Sequence, residues 1–336
     1  MTYRRGGTSY GSAVGRVRVK ERMLFNKDYL FSLAEAKSAA EAMEMLAKTN
    51  YAKYFASVPD KLDYEKIIAA KWSAVKKLYR RIVEDKDIMS FLWSRHDLYN
   101  AKILLKSRYL SVEPKELSDI GTVDQERLKK YILNDEKTSI PDWLVQGVLS
   151  AKSKFELSKD PKTIDIVLDK VYIEFLKKIA GSAENRFLKD LLRTEVDLYN
   201  IKTFIRLRAA KKEDGLPAEV LVQGGSKAKS FYSGLAQVSD EETISAFKDT
   251  PYGRVVREGL TERVASGSFW KLEKLSADHV LMFAKKMKHS VFGFEPLIGY
   301  VIARRNEAAA LRTIMEGKLA EMPADFIKER IPEVYV

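Results

Sequence analysis

Cysteine is absent from the 336 residues, and histidine occurs only three times. The first absence removes disulfides, a thiolate nucleophile and every cysteine-based zinc or iron–sulfur site. No run reaches the ~18 consecutive apolar residues of a membrane-spanning helix. The longest candidate, Val291 to Ala303, is broken by Glu295 and Pro296 and then meets Arg304 and Arg305. The chain therefore reads as soluble and cytoplasmic. Glycine is missing between Gly15 and Gly121, where the only prolines are Pro59 and Pro114. The first 20 residues hold no acid but carry Arg4, Arg5, Arg16, Arg18 and Lys20, with no apolar core of a secretory signal. They read as a flexible leader of about ten residues entering a basic helix.

Ala, Leu, Lys, Glu, Met and Arg fill the glycine-free stretch, and these are the good helix formers. Leu98, Ala101, Leu105 and Tyr109 fall on one helical stripe, as do Val167, Val171, Phe175 and Ile179. Strand signals are scarce, since Val220-Leu221-Val222 is too short to seed a sheet. Periodicity thus predicts an all-α fold. An apolar content of 46% supports a sizeable core, and the length suits about two ordinary domains.

One string recurs. Asp97-Leu98-Tyr99-Asn100-Ala101-Lys102 returns as Asp197-Leu198-Tyr199-Asn200-Ile201-Lys202, at an offset of 100 with five of six residues identical. Glu307, Ala310, Arg312 and Ile314 form a fainter third copy at an offset of 210. Sixteen to twenty residues after each acid stand Pro114, Pro217 and Pro323, each followed two places on by an acid and then an apolar residue. Proline suits the first helical position and an acid suits the first turn, so a new helix is expected at each proline. Thr49-Asn50-Tyr51 is echoed by Thr250-Pro251-Tyr252. The repeat divides the chain into 1–113, 114–216 and 217–336. Asp97 and Asn100 lie on one helix face, about 300° apart around the axis, with Lys102 pointing away. They could form a ligand site or a framework contact within each unit. Repetition favours the framework, because active sites are rarely copied once per unit.

Four stretches carry a resemblance: Tyr10 to Leu24, the two Asp-Leu-Tyr-Asn-x-Lys helices, Pro296 to Leu319, and the closing Met322 to Val336. In order and spacing the chain resembles the C subunit of the archaeal and bacterial A/V-type ATP synthases, related to the d subunit of the eukaryotic vacuolar ATPase. Ala310 departs from the asparagine that the family carries there. The resemblance implies three similar helical wedges arranged as a pseudo-threefold funnel. It implies a peripheral place on the cytoplasmic face of the membrane, between the proteolipid rotor ring and the D and F subunits of the central stalk. The implied role is non-catalytic: coupling rotation to H⁺ or Na⁺ transport.

The residues offer little chemistry of their own. There is no GxxxxGK[S/T] and no HExxH, and Gly224-Gly225-Ser226-Lys227 lacks the spacing of a phosphate loop. His96 flanks the first signature, but Val196 takes its place in the second, so packing is its expected role. No cofactor, metal or catalytic residue is expected. The net charge of +12 comes from 59 basic and 47 acidic residues that are mostly interleaved, as on solvated helix faces. Lys76-Lys77-Leu78-Tyr79-Arg80-Arg81 keeps open an alternative, a basic nucleic-acid-binding or scaffold protein, although no nucleic-acid module is recognisable. Lys285, Lys286 and Lys288, followed by His289, Phe292 and Phe294, form a candidate membrane- or ring-facing cluster, where anionic lipid headgroups would attract the lysines.

Overall fold

Helix starts are written into the sequence by short polar side chains that answer otherwise unpaired backbone N–H groups. In the computed structural model, which describes residues 10–183, 185–210 and 218–336, Asn26, Ser38, Asp63, Asp85, Asp124 and Asn185 each accept such a bond. The helices in chain order are α1 (Gly11–Glu21), α2 (Lys27–Glu35), α3 (Ala39–Ala47), α4 (Ala52–Phe55), α5 (Tyr64–Ile82), α6 (Lys86–Leu110), α7 (Gln125–Leu133) and α8 (Asp142–Ser158). They continue as α9 (Lys162–Ser182), α10 (Arg186–Ala209), α11 (Lys229–Gly234), α12 (Asp240–Phe247), α13 (Gly253–Ser266), α14 (Trp270–Lys286), α15 (Glu295–Leu319) and α16 (Ala324–Arg330). Among the described residues there is no strand, and no helix is long and apolar enough to cross a membrane. The expected leader lies largely in residues 1–9, outside the described residues.

Two compact units emerge, residues 1–84 with 243–336, and residues 85–242. These cuts do not coincide with the repeat boundaries near 113/114 and 216/217.

The first unit is organised around α15, which is buried on nearly every side, as a central helix of a core must be. Leu311, Ile314 and Met315 of α15 join Leu30 and Leu33 of α2, Met43 and Leu46 of α3, and Ile67 and Ile68 of α5 in one apolar cluster. The second unit packs Leu104 and Leu105 of α6 with Leu128 and Ile132 of α7, Leu144 and Val148 of α8, and Ile164 and Leu168 of α9. Trp143 stacks on Phe175 with ring centroids 4.9 Å apart. The α6 stripe lies as the periodicity indicates. On α9 the deepest side chains are Ile164, Leu168, Leu176 and Ile179, while Val167, Val171 and Phe175 are half-buried beside the core.

One expectation fails. Pro114 starts no helix: residues 112–118 have no regular secondary structure, and α7 begins at Gln125 under the Asp124 cap. Proline fits an extended chain as readily as a first helical turn and pushes its predecessor away from helix, so it permits a helix without requiring one. Pro217 lies outside the described residues, and Ala218–Val220 after it form a single 3₁₀ turn. Of the three repeat prolines, only Pro323 stands immediately before an α-helix, α16.

Leu144 is fully buried in the second unit's core. Leu144→Ala is expected to cost about 2–5 kcal/mol, read as a lower midpoint of urea unfolding.

Candidate functional site

The signature aspartate and asparagine are buried in both full copies, where an uncompensated charge or amide would be costly. Each finds its partner in the connector that follows its own helix. The Asp97 carboxylate accepts from Thr122 N at 2.9 Å, Thr122 Oγ1 at 2.5 Å and Val123 N at 2.9 Å. One helical turn on, Asn100 meets both backbone groups of Ser118. Its Oδ1 accepts from Ser118 N and its Nδ2 donates to Ser118 O, both at 2.8 Å. This pair of hydrogen bonds commits the Ser118 backbone to the Asn100 side chain. Gly121 runs so close that a Cβ there would stand 2.2 Å from Asp97 Oδ1.

The second copy repeats this clasp. Asp197 Oδ1 accepts from Ser226 N at 2.7 Å, and Asn200 exchanges two bonds of 2.9 Å with Val222. A Cβ on Gly225 would stand 2.3 Å from Asp197 Oδ1. Ser118-x-x-Gly121-Thr122 and Val222-x-x-Gly225-Ser226 are therefore equivalent, although the second connector is longer. The repeat does not single out these glycines; their one signal in the sequence is a Gly-Thr or Gly-Ser pair downstream of each acid. The Gly224-Gly225-Ser226-Lys227 stretch is accounted for as well: Asp197 already takes the amide of Ser226 that a phosphate would use.

The third copy departs from this pattern. Ala310 is buried in the apolar cluster, and Glu307 replaces the aspartate. Glu307 Oε2 accepts from Phe25 N at 2.9 Å, so the connector it holds is the one between α1 and α2. Its Oε1 accepts from Tyr51 Oη at 2.8 Å and pairs closely with Arg304. Arg304 Nη2 also bonds Tyr51 Oη at 2.9 Å. Burial opposes the Arg304 charge, but Glu307 and Tyr51 outweigh it and hold the guanidinium protonated. Burial pushes the Tyr51 phenol well above its ordinary value.

Lys71 of α5 completes this network. It is buried, bonds Asn50 Oδ1, and lies 4.4 Å from the Tyr51 ring centroid. Asn50 in turn donates to Met23 O at 2.8 Å. Burial and the nearby Arg304 charge bring the Lys71 pKa down to about 7. Neither Arg304 nor Lys71 is signalled by the repeat. Only the Thr-x-Tyr echo points to this place, and it is structural. Thr49 Oγ1 donates to Leu46 O and accepts from Tyr51 N, at 2.7 and 3.2 Å, while Thr250 does the same with Phe247 and Tyr252 at the same distances.

The remaining signature residues play unequal parts. Lys102 reaches Asp169 of α9 at 2.5 Å, and Tyr199 donates to the same carboxylate at 3.1 Å. Lys202 is half-buried, as is Glu195, whose carboxyl pKa is pushed up by burial against the opposing charges of Arg95 and Lys202. Arg312 makes a two-pronged pair with Glu65 of α5, at 2.7 and 2.9 Å. His96 Nδ1 lies 2.9 Å from Ser118 Oγ, beside the clasp. Lys285, Lys286 and Lys288 cluster at the end of α14, and Lys285 pairs with Glu333 at 3.2 Å.

Two outcomes follow from these contacts. Gly121→Ala, Gly225→Ala, Asn100→Ala and Asn200→Ala are each expected to destabilise the chain by about 1–3 kcal/mol. A change below about 0.5 kcal/mol in chemical unfolding, the level of a neutral surface change, would show that the clasps are incidental. For Lys71, the folded pKa of about 7 lies below the ordinary 10.5, so folding disfavours the charged amine. The resulting penalty is full below about pH 7 and fades toward about pH 10. Stability should therefore rise with pH across that window, and Lys71→Met should flatten the rise in unfolding midpoints measured against pH.

Comparison with known proteins places this framework in a family. The family model described as ATP synthase (C/AC39) subunit matches residues 13–330. The C subunit of the A-type ATP synthase of Methanocaldococcus jannaschii is 27% identical, over 95% of this chain and 85% of that protein. The C subunit of the V-type sodium ATPase of Enterococcus hirae is 22% identical over 95% and 97%. The C subunit of the A-type ATP synthase of Archaeoglobus fulgidus is 23% identical over 98% of each chain. A family match across nearly the whole chain, both compact units included, leaves one conclusion: the chain belongs to the ATP synthase (C/AC39) subunit family, whose members are non-catalytic structural subunits of the A/V-type ATP synthase.

Proposed function

We propose that this protein is the adaptor of a rotary A/V-type ATPase that couples the central shaft, made of the D and F subunits, to the membrane proteolipid ring. The observation that carries this reading is the family match over residues 13–330, together with relatives that are C subunits along nearly their whole length. The chain performs no chemistry in this role. It passes torque while H⁺ or Na⁺ moves through the ring, in either direction of ATP turnover.

Torque transmission needs a body that resists shear, and close-packed helices supply one because protein interiors are as dense as organic crystals. The clasps add to this. Connectors are ordinarily the compliant parts of a helical protein, yet those after α6 and α10 are tied to buried side chains by several hydrogen bonds each. In this reading the chain is three repeats, 1–113, 114–216 and 217–336, arranged as a pseudo-threefold funnel that takes the shaft. Lys285, Lys286 and Lys288 mark the side toward the membrane, and the protein is peripheral on the cytoplasmic face.

Affinity capture of the tagged chain from detergent-solubilised membranes of its own source tests the reading. The expected result is recovery of the proteolipid ring with the D and F subunits. Failure to recover the ring from an extract that demonstrably contains it would overturn the adaptor role. Capture of nucleic acid in its place would favour the alternative.

A further inference from the structure

The segment from Leu281 to Phe294 joins α14 to α15 and contains no acidic residue. It carries Lys285, Lys286 and Lys288, and three large apolar side chains face solvent: Met282 at 50% exposure, Val291 at 64% and Phe292 at 60%. A single exposed apolar residue is ordinary. Adjacent exposed Val and Phe beside an acid-free lysine cluster are less so.

The backbone here is held in place rather than loose. Arg18 of α1 donates from Nη2 to both Met287 O, at 2.7 Å, and Ser290 O, at 2.6 Å, while its Nη1 pairs with Glu21. Ser290 Oγ donates to Phe292 O at 3.0 Å. Gly293 then takes φ 85°, a conformation that glycine adopts without strain, and a Cβ there would meet Glu295. Beyond it Phe294 turns back to an edge-on contact with Tyr10, centroids 6.1 Å apart. Two fixed points, Ser290 and Phe294, thus hold Val291 and Phe292 outward. Lys285 is partly answered by Glu333, and the Lys288 amine lies over the Tyr335 ring at 5.5 Å.

We propose that the Val291–Phe292 tip inserts into the headgroup layer of an anionic lipid bilayer while Lys285, Lys286 and Lys288 engage its phosphates. The chemistry is complementary in both respects. Anionic headgroups match a lysine cluster whose own segment carries no acid and whose Lys285 is partly answered by Glu333, and the acyl boundary accepts the outward Val and Phe. This rests on the peripheral membrane placement proposed above, and goes further by naming lipid as a direct ligand and giving the apolar pair the anchoring part.

The test uses the full chain with two kinds of vesicle, phosphatidylcholine alone and phosphatidylcholine mixed with phosphatidylserine, read by co-sedimentation. Binding is expected to the mixed vesicles only, weakening with salt. Replacing the three lysines by Gln should weaken it by roughly fivefold per lysine. The double variant V291S/F292S should weaken it by about tenfold or more. L157S removes an 81%-exposed leucine in the other compact unit and should leave binding unchanged. Absence of binding to mixed vesicles overturns the proposal. So does binding that V291S/F292S leaves intact, which would mean simple adsorption of positive charge. Ring capture from detergent extracts is read independently. A chain that recovers the ring yet ignores vesicles refutes the lipid anchor alone, and its contact there is with protein.

Discussion

A buried carboxylate answering backbone N–H groups of the chain's own connectors is the interaction on which this architecture turns. A charge taken out of water must be compensated locally. Asp97 achieves this with two amides and a hydroxyl, so the position of its connector is dictated by the needs of the charge. Asn100 and Asn200 then fix the register, because each amide satisfies the donor and the acceptor of a single residue. An apolar residue in either place would permit sliding, whereas the clasp admits one alignment. The close approach of Gly121 and Gly225 shows how little space that alignment leaves.

Much of the fold is legible in the sequence because helices advertise themselves locally, through caps, glycine avoidance and periodic apolar residues. The α6 stripe through Leu98, Ala101 and Leu105 needs nothing beyond the sequence. The signature acids and asparagines are visible as a repeat, and repetition itself favours a framework role. Their partners are not visible. A clasp joins a helix to backbone atoms 18 to 29 residues away, and backbone atoms carry no residue identity that a pattern could match. Proline misleads for a related reason: the connector after Pro114 is tied at Ser118 by the bonds from Asn100, and the local preference of proline permits a helix start without requiring one. The Lys71 cluster stays hidden because its members come from α5, α15 and the turn between α3 and α4, with no shared spacing.

The third copy shows what happens when the pattern is relaxed. Glu307 is one methylene longer than aspartate, and it serves a phenol, a guanidinium and the Phe25 amide together. With Ala310 in place of the amide, the register function is lost there. Asn306 beside it reaches Glu333 O at 3.3 Å, so the carboxy-terminal segment is held from the same helix. Lys71, whose charge is opposed by burial and by Arg304, makes this a part of the chain whose cohesion responds to proton concentration above about pH 7.

The bond between Glu307 and Phe25 N also sets an order of events during synthesis. Residues 85–242 are continuous in sequence, so that compact unit has all its partners once its own last helices have left the ribosome. The other unit is split between the two ends of the chain, and its amino-terminal half waits with α2, α3 and α5 unpaired against the helix they need. That helix, α15, is made only after the whole of residues 85–242. Until it emerges, Leu30, Leu33, Met43 and Leu46 lack the α15 side chains that complete their core, leaving apolar surface of the kind that chaperones cover.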